Sequence, residues 1–168
     1  MPYSYGDFND QVSDYIKQHF PAADTNILDV GAGAGKYSDI LRRQYVNIDA
    51  VEVFKPNIDR FQLERRYRKV YHSDIDNLQY GNYDVIIMGD VMEHFDVAKA
   101  KRVLSYAFEH SKEVIIIVPW LYEQGSLEGN DYEIHQQPDL TKDVMEQRYP
   151  ELALYLMNER LGFYVKKK

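Results

Sequence analysis

The stretch NILDVGAGAGKYS, residues 26–38, ends an apolar run and then sets glycines at every second position: Gly31, Gly33 and Gly35. Glycine has no Cβ and accepts positive φ, so such a loop lets a ligand lie close to the main chain. A Walker phosphate loop needs Gly-x4-Gly-Lys-Ser/Thr. Gly35-Lys36 is present, but Val30 stands where the first glycine belongs, and Tyr37 replaces the metal-binding hydroxyl. A dinucleotide loop needs Gly-x-Gly-x-x-Gly, with the last glycine permitting close helix–strand packing. Lys36 fills that sixth position, and the third glycine comes one place early.

A third ligand fits the pattern: a nucleoside with an amino-acid tail and no phosphate, S-adenosylmethionine. Asp29 directly precedes the loop and can meet the tail's ammonium, while amides at the start of the following helix can meet its carboxylate. Glu52 ends the next apolar run, seventeen residues after Gly35. A carboxylate there can accept both ribose hydroxyls, in a nicotinamide enzyme as well as in an S-adenosylmethionine enzyme. Asp74, in HSDIDNL, can accept from an adenine amino group, and Ile75 offers an apolar contact to the ring. Asp76 suits a helix cap.

These residues need elements to carry them. Phe8, Val12, Tyr15, Ile16 and Phe20 recur at helical spacing, so residues 7–19 read as an amphipathic helix that Pro21 ends. NILDV, IDAVEV, KVYH, YDVIIMG and EVIIIVP read as five strands, mostly apolar throughout. Helices alternate with them: one carries Tyr37, Ile40, Leu41 and Tyr45, one starts at Pro56, and one carries Val97, Ala100, Val103, Leu104, Ala107 and Phe108. Strands buried on both faces and alternating with helices predict an α/β three-layer sandwich around a mostly parallel sheet. A short helix over 142–148 and an antiparallel hairpin, 152–157 with 161–166, finish the chain. Between the fifth strand and that helix lie about twenty polar residues, expected to be a functional or mobile loop.

At 168 residues the chain reads as one domain over 1–168, with 1–24 as an N-terminal helix and lid segment and 120–140 as a substrate loop. The net charge of −7 argues against a nucleic-acid partner. No apolar run approaches the ~20 residues of a membrane helix. The absence of cysteine excludes thiolate catalysis and cysteine metal sites and agrees with a cytoplasmic protein. The basic cluster at Arg60, Arg65, Arg66, Arg68 and Lys69 reads as a solvated helix face and strand entry. With fifteen tyrosines, many must sit on surfaces or pocket walls, because a buried hydroxyl needs a partner.

The order of Asp29–Gly35, Glu52, Asp74, YDVIIMGDVMEHF (residues 83–95) and EVIIIVPW (113–120) resembles the class I S-adenosylmethionine-dependent methyltransferases. The resemblance runs from about Asn26 to Lys168, and DVMEH looks like the Asp-x-x-Glu-His motif frequent in the small-molecule branch. It implies a seven-stranded sheet ordered 3-2-1-4-5-7-6. It also implies cofactor contacts at Asp29, Gly31, Gly33, Gly35, Glu52, Asp74 and Asp90, with Val53 and Phe54 shelving the adenine. The Asn/Asp-Pro-Pro-aromatic motif of the nucleic-acid amino methyltransferases is missing at Asp90. The acceptor is therefore expected to be a small molecule, methylated on oxygen or nitrogen by in-line displacement.

Such a transfer needs positioning first, and a base only for a protonated acceptor. Glu93, His94 and His135 are the candidates, with Asp90 beside them. The same three side chains could share a metal, but adjacent residues on a tight turn rarely point at one ion, and His-x3-His spacing is lacking, so no metal is expected. Tyr3, Tyr5, Trp120, Tyr122 and Tyr132 are candidate pocket walls. Two other functions stay open: a nicotinamide-dependent oxidoreductase, and a cofactor-binding module that has kept the fold without turnover.

Overall fold

A computed structural model describes residues 6–167. In chain order the elements are α1 (Asn9–His19), β1 (Asn26–Val30), α2 (Lys36–Leu41), β2 (Asn47–Glu52), α3 (Lys55–Arg60), β3 (Lys69–His72), β4 (Tyr83–Gly89), α4 (Val97–Glu109), β5 (Ser111–Pro119), α5 (Lys142–Arg148), β6 (Leu152–Met157) and β7 (Leu161–Lys166). The seven strands form one sheet in the order β3-β2-β1-β4-β5-β7-β6. The first five are parallel; β7 runs antiparallel to both β5 and β6. This is the order that the methyltransferase resemblance implied.

The apolar strands explain the layers. Side chains along a strand alternate between faces. Val85 and Ile87 of β4 therefore enter one core, with Val12 and Ile16 of α1, Leu41 of α2 and Ile58 of α3. Ile86 and Met88 enter the opposite core, with Ala100, Val103 and Leu104 of α4 and Met145 of α5. A strand buried on both faces cannot alternate polar with apolar, so YDVIIMG and EVIIIVP carry unbroken apolar runs.

Polar residues set the ends. Asp96 caps α4 by accepting from the Lys99 amide at 2.8 Å, and Thr141 caps α5 by accepting from the Val144 amide at 3.2 Å. In the final hairpin, Asn158 Oδ1 accepts from the amides of Arg160 and Leu161, both at 2.8 Å, fixing the turn between β6 and β7. Two details differ from the sequence reading. Helix α1 begins at Asn9, not residue 7. Asp74, not Asp76, caps the short 3-10 turn Ile75–Asn77, by accepting from the Asp76 amide at 3.1 Å; Asp76 pairs with Arg102 at 2.6 Å.

Because the first five strands are parallel, their C-terminal ends share one edge. Strand order reverses between β1 and β4, and open α/β sheets leave a crevice at such a switch point. The loop after β5 runs back across this edge. It is better packed than its polarity suggested: Asn130, Glu133, His135 and Gln137 are buried, and Asp131–Glu133 forms a 3-10 turn. Gln137 fixes it, donating to the Met92 and Phe95 carbonyls and accepting from the Tyr149 hydroxyl.

Candidate functional site

A cavity of about 240 Å³ opens where β1, β2 and β4 end. Of the residues singled out from sequence, Gly31, Gly33, Glu52, Val53, Asp74, Ile75, Asp90, His94 and Tyr132 line it.

The glycine loop is held by its own bonds. The Gly31 and Ala32 amides both donate to the Val51 carbonyl, at 2.8 and 3.2 Å. Gly31 has φ +70°, and a Cβ there would stand 2.5 Å from Val91 Cγ2. Packing against the turn after β4 therefore demands this glycine as much as any ligand would. Gly35 has φ +80° and caps α2, with Arg66 donating to the Ala34 and Gly35 carbonyls on its far side.

Glu52 is almost fully buried, and both its oxygens are occupied by main-chain donors. Oε2 accepts from the Gly33 amide and Oε1 from the Phe54 amide, each at 2.8 Å. Burial raises its pKa, while these amide bonds pull it back down. The Asn57 side chain is a further donor beside Glu52, and each carboxylate oxygen has two lone pairs, so the two amide bonds do not exhaust its capacity to accept. Asp74 is arranged alike: Oδ1 takes the Asp76 amide, and Oδ2 takes Lys99 Nζ at 2.7 Å. Lys99 in turn lies 4.5 Å from the Phe95 ring centre.

Asp29, Gly35 and Phe54 are not on the cavity wall. The Asp29 carboxylate lies behind the loop and accepts from the Tyr67 hydroxyl at 2.5 Å. Burial pushes its pKa up to about 7, against the lowering effect of that bond and of Lys36. Phe54 contributes its amide to Glu52, not its ring to the pocket. Among the expected aromatic walls, Trp120 packs on the hairpin instead, donating to the Asn158 carbonyl and meeting Tyr164 edge-on. Tyr122 meets the His135 ring. Tyr3 and Tyr5 lie outside the described residues.

The loop after β4 bends sharply. Asp90 has φ +56°, and its Oδ2 lies 3.6 Å from Lys36 Nζ. Met92–His94 then forms one 3-10 turn. Donor atoms of Glu93, His94 and His135 lie within 4.8 Å of one another. His135 enters from the loop after β5 and brings a third donor to the adjacent Glu93 and His94. Burial pushes the Glu93 carboxyl well up, and neighbouring Asp90 adds to it. Burial, then His135, holds His94 down at about 4; burial also lowers His135. Both rings are neutral at pH 7.

Sequence reasoning missed the polar wall residues Lys99, Asn57, Asn130, Glu133 and Gln136, among others that line the cavity. Lys99 stands in the first turn of α4, the helix that follows DVMEHF. The basic cluster disperses into structural pairs: Arg68 with Asp49, and Arg66 with Asp39 and the glycine loop.

A sheet in this order, a glycine turn after its first strand and a buried carboxylate ending its second together define the class I methyltransferase fold. The chain belongs to the methyltransferase domain family, whose model matches residues 5–168. It is 34% identical over 87 residues to a ubiquinone biosynthesis O-methyltransferase of Rickettsia bellii, a match covering 48% of this chain and 36% of that protein. The matched region thus spans about a third of the curated relative's length. An S-adenosylmethionine-dependent methyltransferase from Clostridium acetobutylicum superposes with a TM-score of 0.72 at 14% identity, covering 98% of this chain and 92% of that one. Magnesium protoporphyrin IX methyltransferase from Synechocystis, crystallised with S-adenosylmethionine, superposes at 0.66 with 12% identity, covering 95% and 78%. No described helix is long and apolar enough to cross a membrane.

Proposed function

We propose that the protein transfers the methyl group of S-adenosylmethionine to an oxygen or nitrogen of a small molecule. The observation that carries this reading is the bracing of Glu52. Its two oxygens are oriented by the Gly33 and Phe54 amides at the cavity wall, and their remaining lone pairs can accept from the ribose hydroxyls. Asp74 offers an acceptor for the adenine amino group, Ile75 and Val53 offer apolar contact to the ring, and Asp90 stands beside the glycine loop where the cationic tail would lie.

The transfer is an in-line displacement. A lone pair of the acceptor forms the new bond to the methyl carbon, the carbon–sulfur bond breaks, and its electrons return to sulfur as a neutral thioether. Positioning supplies most of the acceleration, since the sulfonium is already a good leaving group. An acceptor that carries a proton passes it to water on the side of the cavity where His94 stands, next to Glu93 and His135. The Rickettsia relative is named for O-methylation, which favours oxygen as the acceptor atom.

The test is a panel of phenols, alcohols, carboxylic acids and amines incubated with the protein and S-adenosylmethionine. Acceptor-dependent formation of S-adenosylhomocysteine supports the reading. Cofactor binding with no turnover across the panel would replace it with a binding module.

A further inference from the structure

We propose that Glu93, His94 and His135 form a binding site for one divalent first-row transition cation, with zinc the best match. The three donors lie within 4.8 Å of one another. Tetrahedral zinc, with bonds of about 2.1 Å, spaces its ligands about 3.4 Å apart, so small side-chain rotations close the set. Two imidazoles and one carboxylate suit zinc, iron, nickel or copper better than magnesium or calcium, which prefer oxygen.

A second observation points the same way. Glu93 is 1% exposed, and its Oε2 has no hydrogen-bond partner; nor has His94 Nδ1. Buried polar atoms in native proteins are almost always paired, so unpartnered donor atoms on converging side chains call for a ligand that they can share. His135 is oriented from behind: its Nδ1 bonds the Tyr122 carbonyl at 2.6 Å, which assigns the ring proton there and leaves the Nε2 lone pair for a ligand.

The site is held together without the ion. The amides of Gln136 and Gln137 both donate to the Glu93 carbonyl, at 2.8 and 3.0 Å, and the His135 amide donates to the Gln124 carbonyl at 2.9 Å. The loop carrying His135 is therefore pinned to the turn carrying Glu93 and His94, although more than forty residues separate them in sequence. Three protein ligands leave the ion at least one open position, as in catalytic rather than structural metal sites. His94 also lines the cavity, so that position adjoins the space for the acceptor. An oxygen acceptor bound there would lose its proton more easily. Only this last role rests on the methyl-transfer reading; cation binding does not.

The test uses the full chain, stripped with chelator and dialysed. Zinc is titrated by calorimetry, and cobalt(II) is added as a visible-absorption probe. The expected result is one zinc per chain and a cobalt d–d band. His135→Ala and, separately, His94→Asn should weaken zinc binding by at least about a hundredfold, with circular dichroism unchanged. The two variants guard against either one failing to fold. Absence of stoichiometric uptake by the native chain, or full uptake by both variants, overturns the site. S-adenosylhomocysteine is titrated into the same samples. Binding of it without any zinc uptake overturns the metal site and keeps the methyltransferase reading; zinc uptake without it does the reverse.

Discussion

Replacing Glu52 by glutamine removes one of two main-chain-braced oxygens and little else. The native carboxylate accepts from the Gly33 and Phe54 amides at 2.8 Å each, in a nearly dry setting. Glutamine keeps the volume but has one acceptor oxygen. Its amide nitrogen must face either the Gly33 N–H or the Phe54 N–H, donor against donor. A hydrogen bond to a charged group contributes about 1.5–3 kcal/mol, and a buried donor left unpaired costs about 1–3 kcal/mol. The variant should therefore unfold about 2–3 kcal/mol more easily in urea. Cofactor binding loses one ribose hydroxyl bond as well, about 1.5 kcal/mol or more, which is at least a tenfold rise in Kd. Calorimetric titration of S-adenosylhomocysteine at a temperature where both proteins are folded separates the two effects. A variant that loses stability yet binds with native affinity would show that Glu52 only braces the loop, and the ribose assignment would be wrong.

Further outcomes follow from other parts of the site. Gly31→Ala must hold φ +70° and place a Cβ 2.5 Å from Val91 Cγ2; it should lose about 2–4 kcal/mol, visible as a fall of several degrees in Tm. Asp29 has a folded pKa near 7, against an ordinary value of 3.8. The folded chain thus holds more protons between those values, and stability falls as pH rises through that window, by an amount on the order of 4 kcal/mol. In Asp29→Asn this contribution should vanish in urea melts at pH 5 and pH 8; an unchanged difference between the two pH values would remove Asp29 as its source. Gln137→Leu takes the Gln137 donor from the Phe95 carbonyl, the Gln137 acceptor from the Tyr149 hydroxyl and the second donor from the Met92 carbonyl, which keeps the Phe95 amide, and about 2–3 kcal/mol of stability should go with them. Asp74→Asn keeps an acceptor but loses its ion pair with Lys99, so S-adenosylhomocysteine binding should weaken only about threefold.

Strands and their order were legible because burial on both faces writes itself as unbroken apolar runs, as in YDVIIMG. The glycine spacing and Glu52 were legible for a related reason: few residue types tolerate positive φ, and a carboxylate ending an apolar strand has few other uses. Asp29 was legible as a carboxylate but not in its place. Its side chain meets the Tyr67 hydroxyl, thirty-eight residues away, a partner that sequence spacing does not show. Lys99, Asn130, Glu133 and Gln136 carry no periodic signature, since a polar residue on a solvated helix face and one aimed at a cavity look alike in sequence. The meeting of Glu93, His94 and His135 was hidden for a geometric reason. Successive residues in a 3-10 turn point about 120° apart. The third member, His135, comes from a loop tied to this turn by the Gln136 and Gln137 amides and the Gln137 side chain, contacts that sequence spacing does not show.

The measurement that bears most directly on the account is calorimetric titration of the native protein with S-adenosylhomocysteine, and in parallel with NADH. Saturable binding of one S-adenosylhomocysteine per chain and no heat from NADH are the expected result. Binding of NADH without binding of S-adenosylhomocysteine would contradict it.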